Sequence, residues 1–441
     1  MKTSTTIFTL ILILLLSCKQ LGLEKDKPNN SLSVVGLALL NSQRRSSVSQ
    51  ADIVNRYADI AFANYSDSVT EATKLKTAID TFVGATTAAD VGTPTGANLE
   101  AAKTAWLAAR VFYQQTEVFR FANGPINDKL DSRLPDTEIE TLINAWPMDE
   151  VIIDCWITNA ATTATIDEAF LIGKNGITIV PGCGANTDTT KNITLGWHAI
   201  EYLLWGADTA SNTTAGIRPV TDFQGAVANS VQQKRRQYLR VATKILVDHL
   251  NLVKDKWDAT KTGNSITAFK SNTSKSMQDI FTGISKFSKS EWGGQRLAII
   301  TSDSQEDEHS CFADNTKADF YWNAQGVLNI FNGTYKNAMG LTSSGAGLKD
   351  ISGSLQSKLT TNLIESRDAF CLNVSGANMS LDSTVCPTAT NSLTSKFDNM
   401  TAADKSKLSN LQLLISITVS NDIQTVGKTN GISFTAPTSL K

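Results

Sequence analysis

Apolar residues recur at three-to-four spacing over most of this chain, and that period constrains its fold more than any other feature. Ile53, Tyr57, Ile60, Ala61, Asn64 and Tyr65 follow it from Ser49 onward, the stripe that an amphipathic helix turns toward a core. A second stretch, 98–121, carries Leu99, Ala102, Trp106, Ala109, Val111, Tyr113 and Phe119, and Asn123-Gly124-Pro125 stops it. Shorter helices are predicted over 137–144, closed by Trp146-Pro147, and 195–205, ended by Gly206. Longer ones are predicted over 222–258, 264–288, 315–340, 347–373 and 403–422. Strand signals are confined to 177–180 and 432–434. The class is all-α, built from helical bundles with few short strands.

Two ends of aromatic helices, 119–124 and 330–335, echo each other, as two similar halves or as chance. The small, polar, turn-rich stretch 206–216 is the natural boundary. It divides the chain into 49–212 and 213–441.

The N-terminus predicts a compartment. Lys2 precedes ten residues, 7–16, that are apolar except for Thr9. Spanning a bilayer takes about 20, so the run fits a secretory signal instead. It ends in Leu15-Leu16-Ser17-Cys18, which resembles a bacterial lipobox. Residues 1–17 are therefore expected to be a signal peptide, Cys18 the lipidation site, and 18–48 a polar tether interrupted by the apolar run 32–40. The expected partner is a membrane, held through acyl chains on Cys18. Lys19, where an Asp would retain the protein at the inner membrane, points to the outer one.

Composition removes several functions. Lys and Arg total 40 against 42 Asp and Glu, for a net charge of -2, which argues against a nucleic-acid partner. Only three histidines exist, His198, His249 and His309, so a many-histidine metal site is excluded. Beyond Cys18 five cysteines remain, and an odd number leaves one over. Cys371 with Cys386 and Cys155 with Cys183 are the expected pairs, with Cys311 the remaining thiol. No nucleophile elbow, Walker loop, dinucleotide fingerprint or Cys-x-x-Cys occurs.

Three constellations could carry chemistry. In Gly196-Trp197-His198-Ala199-Ile200-Glu201, His198 and Glu201 stand three apart and share a helix face. They could ligate a divalent metal such as iron or zinc, or form a satisfied core pair. Both zinc-protease histidine motifs fail, because Tyr202 stands where a second His would be. A catalytic zinc takes three protein ligands, so a third would come from Glu117, from Asp149 and Glu150, or from the acidic stretch 305–309. That stretch, with His309, Cys311 and Asp314, could equally be a solvated loop before a helix. Arg110, Glu117 and Arg120 punctuate the aromatic helix, either as surface ion pairs or as a polar cluster facing the His198 helix.

Together these segments resemble the imelysin-like family. Four blocks stand in that family's order: Ala105-Trp106 to Asn123-Gly124-Pro125-Ile126, Asn144-Ala145-Trp146-Pro147-Met148-Asp149-Glu150, Gly196-x-His198-x-x-Glu201, and Glu306-Asp-Glu-His309-Ser-Cys-Phe-Ala-Asp-Asn-Thr316. The resemblance implies two related helical-bundle domains packed together, with a site between them that includes the Gly-x-His-x-x-Glu residues. It also implies a bacterial envelope protein, iron-regulated and tied to iron uptake. On that basis the metal ligands are His198 and Glu201, with Glu117 and His309 as further candidates, in a pocket with Trp197, Arg120, Trp146, Asp149, Glu150 and Asp314. Iron, zinc or heme would be the cofactor or cargo, and an outer-membrane iron receptor the partner. The family's name comes from a metallopeptidase, in which role Glu201 would be the catalytic residue. A non-catalytic interaction lipoprotein with a structural His198–Glu201 pair is the third reading. Lys317 stands where the family pattern has a His, and the C-terminal end lacks the expected acidic, glycine-containing tail.

Overall fold

The computed structural model describes residues 48–84, 94–159, 165–176, 188–208, 215–225, 227–300, 308–371, 393, 397 and 400–438. The expected signal peptide, Cys18, the tether, the strand at 177–180, and Cys183 and Cys386 lie outside them.

The first helix, α1 (Gln50–Val83), starts at a capping box: Ser49 Oγ accepts from Asp52 N–H, and the Asp52 carboxylate accepts from Ser49 N–H. It buries Ile53, Tyr57, Ile60, Ala61, Asn64 and Tyr65, the predicted stripe. That stripe packs along α2 (Gly96–Gln115) and the long α7 (Val231–Trp257). Between them in sequence come α3 (Ile139–Asn144), α4 (Glu150–Thr158), α5 (Glu168–Lys174) and α6 (Gly196–Trp205). Next follow α8 (Ile266–Ser271), α9 (Thr273–Lys286), a π-helical stretch Phe287–Arg296, and α10 (Leu297–Ile300). The remaining helices are α11 (Thr316–Asn332), α12 (Gln356–Asp368), α13 (Ala402–Leu413) and α14 (Ser420–Thr429). The fold is all-α. Its described strands are β1 (Thr334–Lys336) and β2 (Thr342–Ser344), one antiparallel hairpin with Tyr335 opposite Ser343. Among the described residues no helix is long and apolar enough to cross a membrane.

Where expectation and structure differ, local chemistry gives the reason. The helix expected over 98–121 tightens into a 3-10 turn, Thr116–Phe119. The one expected over 222–258 begins only at Val231, where Ser230 caps Gln233 N–H. Asn272 caps Lys275 N–H and so divides 264–288 into α8 and α9. The helix expected over 315–340 stops at Gly333, which adopts left-handed φ +66, and the hairpin follows. The strand expected at 432–434 is absent: Ile432 N–H bonds back to Gly427 C=O, closing α14, and Phe434 packs 5.6 Å from Phe281. Helices α4 and α5 were not foreseen. Cys155 and Cys371 are each disulfide-bonded, and Cys311 is a buried thiol.

Helix α2 is the central element, with α1, α6 and α11 packed on it. The α2–α11 crossing is close enough that a Cβ at Gly326 would lie 2.5 Å from Gln115 C=O. His249 on α7 is fully buried and meets Asp131 Oδ2 at 2.8 Å, pinning the loop before α3. Replacing Gly326 by Ala should push α11 off α2 and cost roughly 1–3 kcal/mol, read as a lower midpoint in urea unfolding. An unchanged midpoint would show that this crossing is not tightly packed.

Candidate functional site

The Gly-x-His-x-x-Glu segment is α6 itself. Gly196 has φ +86, and a Cβ there would sit 2.5 Å from Ile143 C=O. Only glycine lets α6 close on α3. His198 and Glu201 share a face as expected, and they bond to each other, Nδ1 to Oε2 at 2.8 Å. Glu201 Oε1 accepts from Ala313 N–H at 2.9 Å, which ties α6 to the loop before α11. The two side chains are 1% and 0% exposed. Burial above all drives His198 well below, and Glu201 well above, their ordinary pKa values, favouring the neutral form of each. His198 Nε2 is buried with no partner in the protein.

His309 lies against this pair, its ring centroid 5.2 Å from that of His198 in T-shaped contact. Trp146 packs on the other side of His198 at 4.8 Å. His309 Nδ1 is 2.8 Å from Asp319 Oδ2. Burial foremost, reinforced by Arg296, holds His309 down to about 4 despite Asp319. Burial pushes Asp319 up, but Arg110 and His309 outweigh it and hold the carboxyl below its usual range. A neutral imidazole beside an ionised carboxylate donates from Nδ1, which leaves the Nε2 lone pair.

Asp319 also accepts from Arg110 Nη2 at 2.6 Å, Ser310 Oγ at 2.6 Å and Asn315 Nδ2 at 2.9 Å. Arg110 reaches Asn144 Oδ1 at 2.7 Å and stacks among Trp106, Tyr113 and Trp197. Of the expected residues, Arg110 therefore does face the His198 helix.

His309, Trp146 and Arg120 line a cavity of about 500 Å³, together with Glu140, Asn144 and Arg296. Arg120 meets Glu140 at 3.1 Å and Glu291 at 3.0 Å. Glu117 stands behind them, paired with Arg296. Burial, with Glu117 and Glu291, pushes the Glu140 carboxyl up to about 7 against the pull of Arg120 and Arg296.

The other expected residues fall outside this cavity. Trp197 is core, its carbonyl accepting from Trp106 Nε1. Asp149 caps α4 through Val151 N–H, and Glu150 opens that helix. Asp314 sits in the loop at φ +54. Lys317 donates to Leu393 C=O at 2.6 Å, so that position is directed toward Leu393. Glu140, Glu291, Arg296 and Asp319 were missed. Asp319 alone carried a signal, an acidic residue in a predicted helix one turn after the Asn-Thr pair.

Helices packed around a polar cavity that a histidine and paired charges line define an all-α protein with a built interior site. The chain belongs to the imelysin family, whose model matches residues 61–403. No curated protein matches it significantly. Solved structures share the fold, among them two crystal structures. One, described as an iron-regulated protein A precursor from Parabacteroides distasonis, is 15% identical with a TM-score of 0.59, covering 86% of this chain and 94% of its own. The other, an imelysin-like protein from Psychrobacter arcticum, is 12% identical with a TM-score of 0.51, covering 89% of this chain and 98% of its own.

His309 makes a signed prediction. Unfolded, its imidazole binds a proton near 6.5; folded, only near 4. The unfolded state holds more protons between these values, so the His309 contribution is full above 6.5 and lost as pH falls toward 4. The stability gap between wild type and His309→Gln should be wider at about pH 7.5 than at about pH 4.5 in urea unfolding. An equal gap at both would mean that His309 is not held neutral.

Proposed function

We propose that this is a lipid-anchored protein of the bacterial envelope that binds an iron-carrying ligand in the cavity beside His309 and serves iron acquisition. The observation that supports this reading is the Asp319–His309 pair. A carboxylate behind Nδ1 fixes the tautomer and leaves Nε2 as the acceptor of a ring that lines the cavity, the way proteins orient imidazoles toward metals. Imidazole and carboxylate donors suit iron. The structural neighbour described as iron-regulated points the same way. The lipobox-like ending at Cys18 supports the lipid anchor and Lys19 after it the outer membrane, and an outer-membrane iron receptor is proposed as its partner.

Among the described residues no three His, Cys, Asp or Glu side chains are grouped to hold a metal ion. The described residues by themselves do not make a bare-ion site, and the cargo is read as iron that arrives with its own chelator. The cavity lies within the range of about 300–1,000 Å³ typical of ligand sites. Its charged lining suits a polar chelate better than heme, whose macrocycle favours apolar walls. His198 and Glu201, bonded to each other and to Ala313, act in this reading as the latch that holds the His309 loop in place.

Protein from iron-replete cells should carry stoichiometric iron by elemental analysis, and His309→Ala should lose it. Equal iron in both would reject the reading. A heme absorption band would replace the polar chelate with heme, and stoichiometric zinc would favour a metallopeptidase.

A further inference from the structure

The same cavity holds buried hydrogen-bonding atoms that the protein does not partner. Glu140 is 5% exposed; Oε2 faces Arg120, while Oε1 has no partner in the protein. Asn144 is 4% exposed; Oδ1 accepts from Arg110, while Nδ2 has none. These residues lie four apart on α3, on one face, and both line the cavity. Trp146 Nε1, also on the lining, is likewise buried and unpartnered. A buried polar atom left without a partner costs about 1–3 kcal/mol, so such atoms mark where a ligand makes its bonds.

Their chemistry is directional. Glu140 Oε1 accepts, whereas Asn144 Nδ2 and Trp146 Nε1 donate. Three carboxylates around them, Glu117, Glu140 and Glu291, share two guanidinium groups, Arg120 and Arg296. A third cation, Lys191, also lines the cavity and is half-buried like Arg120 and Glu291, so the charges around it balance.

Deepening the reading of this cavity as a chelate site, we propose that its ligand carries a protonated amine that docks on Glu140 and a carbonyl-type oxygen that docks on Asn144 and Trp146. The ammonium donates to the idle Glu140 oxygen, and the carbonyl takes the two idle donors. The raised proton affinity of Glu140 fits a group that awaits a cation.

The test is calorimetry on the full chain with three probes. They are a ferric trihydroxamate with a free terminal amine, the same chelate N-acetylated, and metal-free 5-aminopentanamide. The amine-bearing chelate should bind about tenfold or more tighter than its acetylated form, as expected for a charged hydrogen bond. Glu140→Gln should bring the two within about twofold. Trp146→Phe, which keeps the ring, should weaken both chelates alike and guards against a Glu140 variant that misfolds. Equal binding of the two chelates by wild type, or a preserved difference in a folded Glu140→Gln, overturns the proposal while leaving the chelate reading intact. Binding of 5-aminopentanamide with neither chelate overturns the chelate reading and keeps the amine site. Binding of no probe overturns both.

Discussion

The site depends on one buried ion pair. Arg110 and Asp319, 1% and 0% exposed, meet at 2.6 Å across the α2–α11 crossing. Neither charge has water to turn to, so removing one partner costs on the order of 3–5 kcal/mol. The pair endures because its remaining hydrogen-bonding capacity is used. Asp319 gathers His309, Ser310 and Asn315 from the loop ahead of its own helix. Arg110 draws in Asn144 from α3 and stacks on three aromatic rings. The cavity wall is thus assembled outward from a single charge contact.

A second constraint is helical register. Glu291 and Arg296 stand five apart, and in an α-helix that offset turns side chains about 140° from each other. Here they lie in the π-helical stretch, where bonding runs from i to i+5, and Arg296 Nε meets Glu291 Oε1 at 3.1 Å. The widened turn lets one segment present an acid and a base together to Arg120 and Glu117.

Much of this was legible in the residues. The stripe of α1 needs only periodicity, and the α6 face needs only the three-residue offset of His198 and Glu201. The reason for Gly196 needed the structure, in which the chain approaches α3 too closely for a side chain. The rest was not legible either, because it is set by contacts distant in sequence. Arg110 and Asp319 are 209 positions apart, and no local pattern joins them. Glu291 and Arg296 look like ordinary solvent-facing charges until the π register is known. The acidic stretch near His309 read equally as a solvated loop; its described end is buried, and His309 there meets Asp319. Lys317, where the family pattern has a His, bonds instead to Leu393 C=O.

All three histidines of the chain are buried. Imidazole is the only side chain whose unperturbed proton affinity falls between about pH 5 and 8. The outer face of this protein therefore keeps nearly constant charge across that range, and its long-range attraction or repulsion toward neighbours does not drift with ambient acidity. What responds to acidity is enclosed: a carboxyl held near neutrality at the cavity wall.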